Sequence, residues 1–205
     1  MTYILIAFTS IISIIAFNNQ ELFGKLQFNA YQVYHRKEWY RLISHGFLHA
    51  GWGHLIVNMF VLFFFGRNTE YYLDQLHAAG VIKFPQLIYL LFYLLGIVVS
   101  SLVSLAKNKD NVWYNSVGAS GAVSAVMFFS IFFNPWEKLY LYAMLPIPGI
   151  IFGVLYLGYS QYMSKRGGDN VNHDAHFVGA VFGFLFPLVL DFHLINYFIN
   201  QVLNF

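Results

Sequence analysis

The sequence predicts an all-α integral membrane protein with six transmembrane helices and a long first loop at the membrane interface. Of its 205 residues, 59% are hydrophobic and only 10% are charged. A soluble domain usually contains about 25% charged residues, and a soluble domain of this size has too small an interior to hide so much apolar surface. Long apolar segments separated by mostly short connections give the same indication. We therefore expect the chain to lie in a lipid bilayer.

Six apolar segments are candidates for the membrane spans, because a bilayer needs about 20 apolar residues per helix. The predicted spans are residues 2–17, 52–66, 85–106, 116–134, 148–163 and 174–199. The first segment has no charged side chain and no small-residue cleavage site after it. We interpret it as a retained helix and not as a signal peptide. Residues 1–205 are expected to form a single domain.

The connection between the first two spans, residues 18–51, is neither low-complexity nor strongly polar. Its Phe, Tyr, Trp and Leu side chains favour a folded element at the membrane interface, where amphipathic rings are stabilised. Later in the chain, Pro146 and Pro148 precede the fifth span. Proline is favoured in turns and at first helical positions, so these residues predict the entry to that helix.

Composition also limits the chemistry that the chain can perform. A net charge of +2 gives no reason to expect a nucleic-acid partner. The chain has no cysteine, which excludes disulfides, a thiol nucleophile and cysteine metal sites. Any catalysis must therefore come from Ser, His, Asn, Asp or Tyr side chains.

Three polar side chains are expected at the same level of the membrane. In a six-span chain the second, fourth and sixth helices run in one direction, and their N-termini carry His54, Ser120 and His176. Polar side chains in membrane helices are costly and usually face the bundle interior, a cavity or each other. We expect these three to lie near one face of the membrane.

Ser120 has two interpretations. In the stretch GASG, Gly118, Ser120 and Gly121 are typical of close helix packing in membranes. The same serine is a candidate nucleophile if a base lies beside it. The stretch is not the GxSxG turn of soluble hydrolases, so the motif alone does not decide between packing and catalysis.

The sixth span supplies the candidate base. His176, Gly179 and Gly183 share one helical face, and the glycines allow another helix to approach the imidazole. His173 lies one turn earlier on a similar face, so the spacing leaves the choice between the two histidines open. A Ser–His dyad would use the histidine first as general base and then as general acid. No orienting acid is evident, because Asp174 points away from His176 on the helix.

The second span carries a further polar pair, His54 and Asn58, at i and i+4 on one helical face. One interpretation is a hydrogen-bond pair between helices, since neither group can be left unpaired cheaply in an apolar bundle. The other is a pair of donors for a developing oxyanion, together with the backbone N–H of Ser120.

Three motifs make the sequence resemble the rhomboid intramembrane serine proteases. The second span contains HAGWGHLIVNM, the fourth contains GASGAV and the sixth contains AHFVGAVFG. The resemblance covers nearly the whole chain, and it implies the rhomboid-like six-helix fold. It also implies that the protein cleaves transmembrane proteins in or near their membrane segments, within a lipid bilayer and with no metal or organic cofactor.

The resemblance assigns roles to individual residues. Ser120 is implied as the nucleophile and His176, not His173, as the base, with an oxyanion hole formed by His54, Asn58 and the Ser120 amide. Six further residues are implied as structural support: Gly118, Gly121, Gly179, Gly183, Arg41 and Glu70. One departure concerns the position one turn after the nucleophile, where some members have an aromatic residue that stacks on the histidine; here it is Ser124.

The expected location is a multi-pass position in a bacterial inner membrane, with the active site opening to the non-cytosolic side.

A catalytically inactive rhomboid-like protein that binds transmembrane helices is the alternative function. A metal protein is a second alternative, suggested by five histidines: His45, His49, His54, His173 and His176. It is disfavoured because the sequence has no HExxH motif.

Overall fold

The computed structural model describes residues 1–141, 144–169 and 171–203, and it is predominantly helical. The α-helices in the described part of the chain are α1 (Thr2–Phe17), α2 (Gln20–Leu26), α3 (Ala30–His35), α4 (Arg41–Ser44), α5 (Trp52–Ala78), α6 (Pro85–Asn108), α7 (Ser120–Phe133), α8 (Gly149–Arg166), α9 (His173–Leu190) and α10 (Leu194–Leu203). The strands are β1 (Phe28–Asn29), β2 (Asn115–Ser116), β3 (Lys138–Leu141) and β4 (Leu145–Pro148). They form two antiparallel pairs, β1 with β2 and β3 with β4.

Each predicted span overlaps a helix, but the number of membrane crossings stays a prediction. Among the described residues, α6 and α9 are long and apolar enough to cross a membrane by themselves. A third candidate is α5 together with Arg41–Phe47, which is bent by 94° at the break between them. Helices α1 and α7 are apolar but shorter. The helical class of the fold is therefore confirmed, whereas the count of six spans is not.

Two predicted span boundaries were wrong at the C-terminal side. Helix α5 continues to Ala78 instead of ending at residue 66, because residues 67–78 contain no Gly or Pro and include the good helix formers Arg67, Glu70 and Leu73. The predicted span 174–199 is two helices, since α9 ends at Leu190. There the Asp191 carboxylate accepts a hydrogen bond of 2.9 Å from the His193 amide, a local turn that competes with the helix.

The predicted start of the fourth span, at residue 116, was also wrong. Asn115 and Ser116 pair with Asn29 and Phe28 in the β1–β2 ladder, so they are extended and α7 begins at Ser120. The Asn29 side chain adds hydrogen bonds to the Val112 carbonyl, at 2.9 Å, and to the Asn115 side chain, at 3.0 Å. The first loop thus holds the segment that leads into the candidate nucleophile.

The first loop is folded, as the sequence indicated, into three short α-helices, one strand and a 3₁₀ helix at His45–Phe47, and Arg41 ties it together. The Arg41 guanidinium donates to the carbonyls of Gly24, at 2.8 Å, and Gln27, at 2.7 Å. It also donates to the Glu38 carboxylate at 2.6 Å. A planar guanidinium can serve several acceptors at once, so one buried side chain fixes the end of α2 against the start of α4.

Helix α7 lies in the centre of the bundle. Every residue of α7 after Ser120 is buried, and the helix contacts α5, α6, α8, α9 and α10. Its closest neighbour is α9, because two glycines replace side chains at the contact. A Cβ added at Gly179 would overlap the Gly121 carbonyl, and one added at Gly183 would overlap the Ala125 carbonyl. The two backbones therefore touch at these glycines. This close packing also brings the N-termini of α7 and α9 near each other.

Replacing Gly183 by alanine is expected to destabilise the protein, because the added methyl group has no room beside Ala125. Overpacking of this kind costs about 1–3 kcal/mol. The matched control is Gly158→Ala in α8, where nothing lies within 4 Å of the added carbon. Alanine is favoured over glycine inside a helix by roughly 0.5–1 kcal/mol, so the control should unfold at the same temperature as wild type or slightly higher. Thermal unfolding in one detergent checks the pair, and equal unfolding temperatures for the two variants would contradict the proposed contact.

Candidate active site

A cavity of about 1060 Å³ lies at the N-terminal ends of α5, α7 and α9. Its lining includes all four side chains that the sequence singled out for chemistry, which are His54, Asn58, Ser120 and His176. Helix α6 contributes serines to the wall, and α8 contributes aromatic side chains. The structure thus brings together polar groups that are far apart in the sequence.

The turn before Ser120 depends on the conformation of Gly118 and on one backbone hydrogen bond. Gly118 has φ +127, a conformation that side chains other than glycine rarely adopt. Its amide donates to the carbonyl of His45 at 3.0 Å, which attaches the turn to the end of the first loop. Ser120 follows as the first residue of α7 and is half-buried. Its backbone N–H has no acceptor within the helix, as is general for the first turn, and so is free to bind an anionic oxygen.

His54 lies directly over Gly118, and a Cβ at that glycine would be 2.7 Å from Cε1 and 3.0 Å from Nε2 of the ring. The other ring nitrogen, Nδ1, accepts from the Ala50 amide at 3.4 Å. Since a neutral imidazole carries one hydrogen, this contact assigns the hydrogen to Nε2. Nε2, the nitrogen that carries the hydrogen, is therefore the ring nitrogen of His54 that lies nearer to Gly118.

Asn58 is 5% exposed and lies one turn after His54. Its side-chain nitrogen donates to the His54 carbonyl at 2.9 Å. A carboxamide nitrogen carries two hydrogens, and no second acceptor for it is found among the described residues. Asn58 therefore braces the first turn of α5 and keeps one N–H available in the cavity.

His176 lies in the first turn of α9 and is half-buried. Gly179, three residues later, contacts the Gly121 backbone, and Gly121 directly follows Ser120. The serine and the histidine consequently both lie at the N-terminal end of the close contact between α7 and α9. Within the described ranges, no hydrogen bond joins Ser120 to His176. Such bonds are often long in a site without substrate.

His173 and His176 have different surroundings, although the sequence did not separate them. His173 is not among the residues that line the cavity. Its Nε2 pairs with the Asp169 carboxylate at 3.1 Å, and the hydrogen bond from His173 holds the pKa of that carboxyl below its ordinary value. His173, the first residue of α9, thus pairs with the loop before the helix, whereas His176 lines the cavity.

Sequence reasoning did not identify the aromatic partner of His176. The ring of Tyr156, from α8, lies nearly parallel to the imidazole, with 6.3 Å between ring centroids and 22° between planes. Its hydroxyl is 2.6 Å from the Ser124 hydroxyl on α7. The available signal was weak: Phe152 and Tyr156, spaced by four residues, place two rings on one face of α8.

The residues expected to support the fold have definite contacts. Glu70 accepts from the Thr2 amide at 3.0 Å and from the Thr2 hydroxyl at 2.9 Å, which joins α1 to α5. Arg41 and Glu70 do not line the cavity. Among the residues that the structure describes, no three His, Asp or Glu side chains converge in a way that could hold a metal ion.

Comparisons with known proteins give a consistent family. The Rhomboid domain family matches residues 36–191. RHOMBOID-like protein 12, mitochondrial, from Arabidopsis thaliana is 31% identical over 144 residues, which are 68% of this chain and 43% of that protein. Rhomboid-related protein 1 from Caenorhabditis elegans is 27% identical over 83% of this chain and 45% of its own length. Rhomboid-like protein 11, chloroplastic, from Arabidopsis thaliana is 29% identical over 78% of this chain and 55% of its own length.

The chain spans about half the length of these curated relatives. Two of them are named for a mitochondrial and a chloroplastic location. These names disagree with the bacterial inner membrane that we expected from the sequence, so that compartment is not carried forward and only the membrane location is kept.

The contact between Glu38 and Arg41 predicts a pH dependence of stability. The hydrogen bond from Arg41 lowers the pKa of Glu38 from its ordinary value of 4.5. A carboxyl whose pKa is lower in the folded state stabilises that state above its unfolded pKa, and the contribution is lost as the pH falls through the folded pKa. Wild type should therefore unfold at a higher temperature than Glu38→Gln at pH 7, and the difference should shrink below pH 4.5. Thermal unfolding across this range checks the prediction, and a difference that is constant with pH would contradict it.

Proposed function

This chain belongs to the rhomboid family, and on that premise we propose that it is an intramembrane serine endopeptidase that cleaves transmembrane segments of membrane proteins. One observation carries the proposal. Ser120, His176, His54 and Asn58 line one cavity although they come from three different helices. A packing role for the serine explains its small size, but it does not explain why a histidine and two donors converge beside it.

The proposed reaction begins with attack of the Ser120 hydroxyl oxygen on the carbonyl carbon of the peptide bond to be cleaved. His176 removes the hydroxyl proton and then gives a proton to the leaving amine, which is general base and general acid catalysis by one side chain. Water hydrolyses the resulting ester, again with His176 as base. Asp169 pairs with His173, so the proposed catalytic unit is a dyad without an orienting acid.

The proposed oxyanion hole combines three N–H groups. The Ser120 amide lies at the N-terminus of α7, where the helix dipole favours negative charge. His54 donates through Nε2 and Asn58 through the hydrogen that its contact with the His54 carbonyl does not use. Removing one such donor typically lowers kcat by about 10²- to 10³-fold.

The membrane arrangement is part of the proposal. Helices α1, α5, α6, α7, α8 and α9 would form six spans of one rhomboid-like domain, with the cavity open to the non-cytosolic side. Short helices such as α7 fit this arrangement because α7 is enclosed by other helices, and irregular backbone is tolerated at membrane depth where protein surrounds it. The partners would be transmembrane protein substrates and the lipid bilayer, with no nucleic acid and no metal.

Substrate entry is proposed to occur between α5 and α8. Both helices line the cavity, α5 through Val57 and Val61 and α8 through Phe152 and Tyr156. Helix α8 ends at Arg166, within the segment 164–172 that the sequence suggests as a loop, and Asn170 lies outside the described residues. Gly167 and Gly168 both have positive φ and open space around them, which suits a hinge that lets α8 move.

Cleavage of a model transmembrane substrate by purified protein in detergent tests the catalytic assignment. Ser120→Ala and His176→Ala should each lower kcat by at least about 10³-fold, because neither half of a nucleophile–base pair works alone. A metal chelator should leave wild-type activity unchanged. His173→Ala is the matched control, since it removes a histidine one turn away that does not line the cavity.

Two outcomes would contradict the assignment. Cleavage that survives Ser120→Ala would show that GASG is a packing motif and that another group attacks the peptide. A wild-type protein that binds transmembrane helices but cuts none would support the inactive rhomboid-like alternative. The missing hydrogen bond between Ser120 and His176 among the described residues is the observation that favours this alternative.

A crosslink between α5 and α8 tests the entry route. The chain has no cysteine, so a Val57→Cys, Phe152→Cys double variant can be joined by a short bis-maleimide without side reactions. We expect the linked protein to lose cleavage of a transmembrane substrate and to keep cleavage of a short peptide that needs no helix movement. The unlinked double variant and each single variant treated with the reagent are the controls. Undiminished cleavage of the transmembrane substrate after complete linking would refute the route.

A further inference from the structure

Tyr156 is the closest aromatic neighbour of His176 on helix α8. The two rings are nearly parallel, with an angle of 22° and a centroid distance of 6.3 Å. This is an offset stacked arrangement, within the range of 4.5–7 Å in which aromatic pairs attract each other. The tyrosine ring therefore limits how far the imidazole can tilt towards α8.

Tyr156 is itself held in place from three directions. Its hydroxyl hydrogen-bonds the Ser124 hydroxyl at 2.6 Å. Its ring stacks with Phe152 at 5.8 Å and contacts Phe128 at 5.6 Å. A side chain with a fixed ring plane and an anchored hydroxyl has few alternative rotamers. The Tyr156 ring can therefore hold the neighbouring imidazole in one orientation.

His176 has little else to orient it. No hydrogen bond to either ring nitrogen is present in the part of the chain that the structure describes. The Asp169 carboxylate, which lines the same cavity, is engaged by His173. The other ring beside His176 is His173, whose edge-on contact at 5.9 Å and 77° leaves the imidazole face to Tyr156. Ring packing is therefore the visible constraint on the orientation of the proposed base.

Ser124 explains why a tyrosine from another helix can reach this place. Ser124 lies one helical turn after Ser120 and so on the same face of α7. Its side chain is small and 4% of the residue is exposed, which shows that a neighbour fills the space beside it. The Tyr156 side chain does so, and its hydroxyl satisfies the buried serine hydroxyl.

We propose that Tyr156 is a positioning residue for His176, anchored by Ser124, so that helix α8 sets the orientation of the base through a stacked ring. This inference rests on the proposed function, because it assigns His176 the role of base. It does not make Tyr156 a catalytic residue, since the tyrosine would contact neither the reacting atoms nor the substrate carbonyl.

Kinetics of four variants test the proposal against a merely structural role. Tyr156→Leu removes the ring and should lower kcat by about tenfold, the size of one aromatic contact, while KM stays within twofold of wild type. Tyr156→Phe keeps the ring and should lose no more than about threefold, the effect of one neutral hydrogen bond. Ser124→Ala removes the same hydrogen bond and should match Tyr156→Phe. Tyr159→Leu, the matched control, removes a ring from α8 that contacts His173 and not His176, and should behave as wild type.

The double variant Ser124→Ala, Tyr156→Phe supplies an answer even if Tyr156→Leu does not fold. Because both substitutions delete one shared hydrogen bond, the double variant should lose no more activity than either single variant. Fully additive losses would overturn the anchoring role of Ser124. A Tyr156→Leu enzyme with kcat within twofold of wild type, or with a raised KM and unchanged kcat, would overturn the positioning role.

A spectroscopic measurement separates this proposal from the proposed function. In protein with isotope-labelled histidine, the ring C–H signal of His176, assigned by its loss in His176→Ala, should move in Tyr156→Leu and stay in place in Tyr156→Phe and Tyr159→Leu. This readout needs no catalysis. A wild type that cuts nothing but shows this shift would leave Tyr156 in its positioning role while the protease assignment fails. A His176 signal that ignores Tyr156→Leu would overturn the positioning role whether or not the protein cuts.

Discussion

The close packing of α7 against α9 fixes both the helix bundle and the geometry of the candidate site. At Gly179 and Gly183 the α9 backbone lies against the carbonyls of Gly121 and Ala125, so no side chain separates the two helices there. Helices in a bilayer gain little from hydrophobic association, and close packing over small residues is what holds them together. Because this contact begins one residue after Ser120 and three after His176, the packing of the fold and the geometry of the candidate site depend on the same glycines.

The loops position the turn that precedes Ser120. The first loop holds the turn before Ser120 through the His45 carbonyl and through the β1–β2 ladder. Arg41 in turn fixes that loop with donors to three acceptors. The polar groups that line the cavity need such support, because each buried polar group costs free energy unless it is paired. Two donors near Ser120, its own backbone N–H and the second hydrogen of the Asn58 carboxamide, are available to the proposed reaction.

Much of this arrangement was readable from the sequence, for a physical reason. The prediction of six spans with alternating direction placed His54, Ser120 and His176 at one level, and all three do line one cavity. Hydropathy located the helices, but it could not show that α5 continues past residue 66 or that Asp191 divides the last predicted span. Those features depend on local hydrogen bonds and helix propensity. Tyr156 was not predicted, because its importance arises from the packing of α8 against α7 and α9 and from no motif.

If Ser120 is a nucleophile activated by His176, a reagent that forms covalent adducts with reactive serines should modify it. Wild-type protein and the His176→Ala variant would be treated with a small fluorophosphonate, and the modified residue would be located by peptide mass mapping. We expect one adduct on Ser120 in wild type and none, or a greatly slowed one, in His176→Ala. A wild type that acquires no adduct, an adduct on another residue, or equal labelling of both proteins would contradict it.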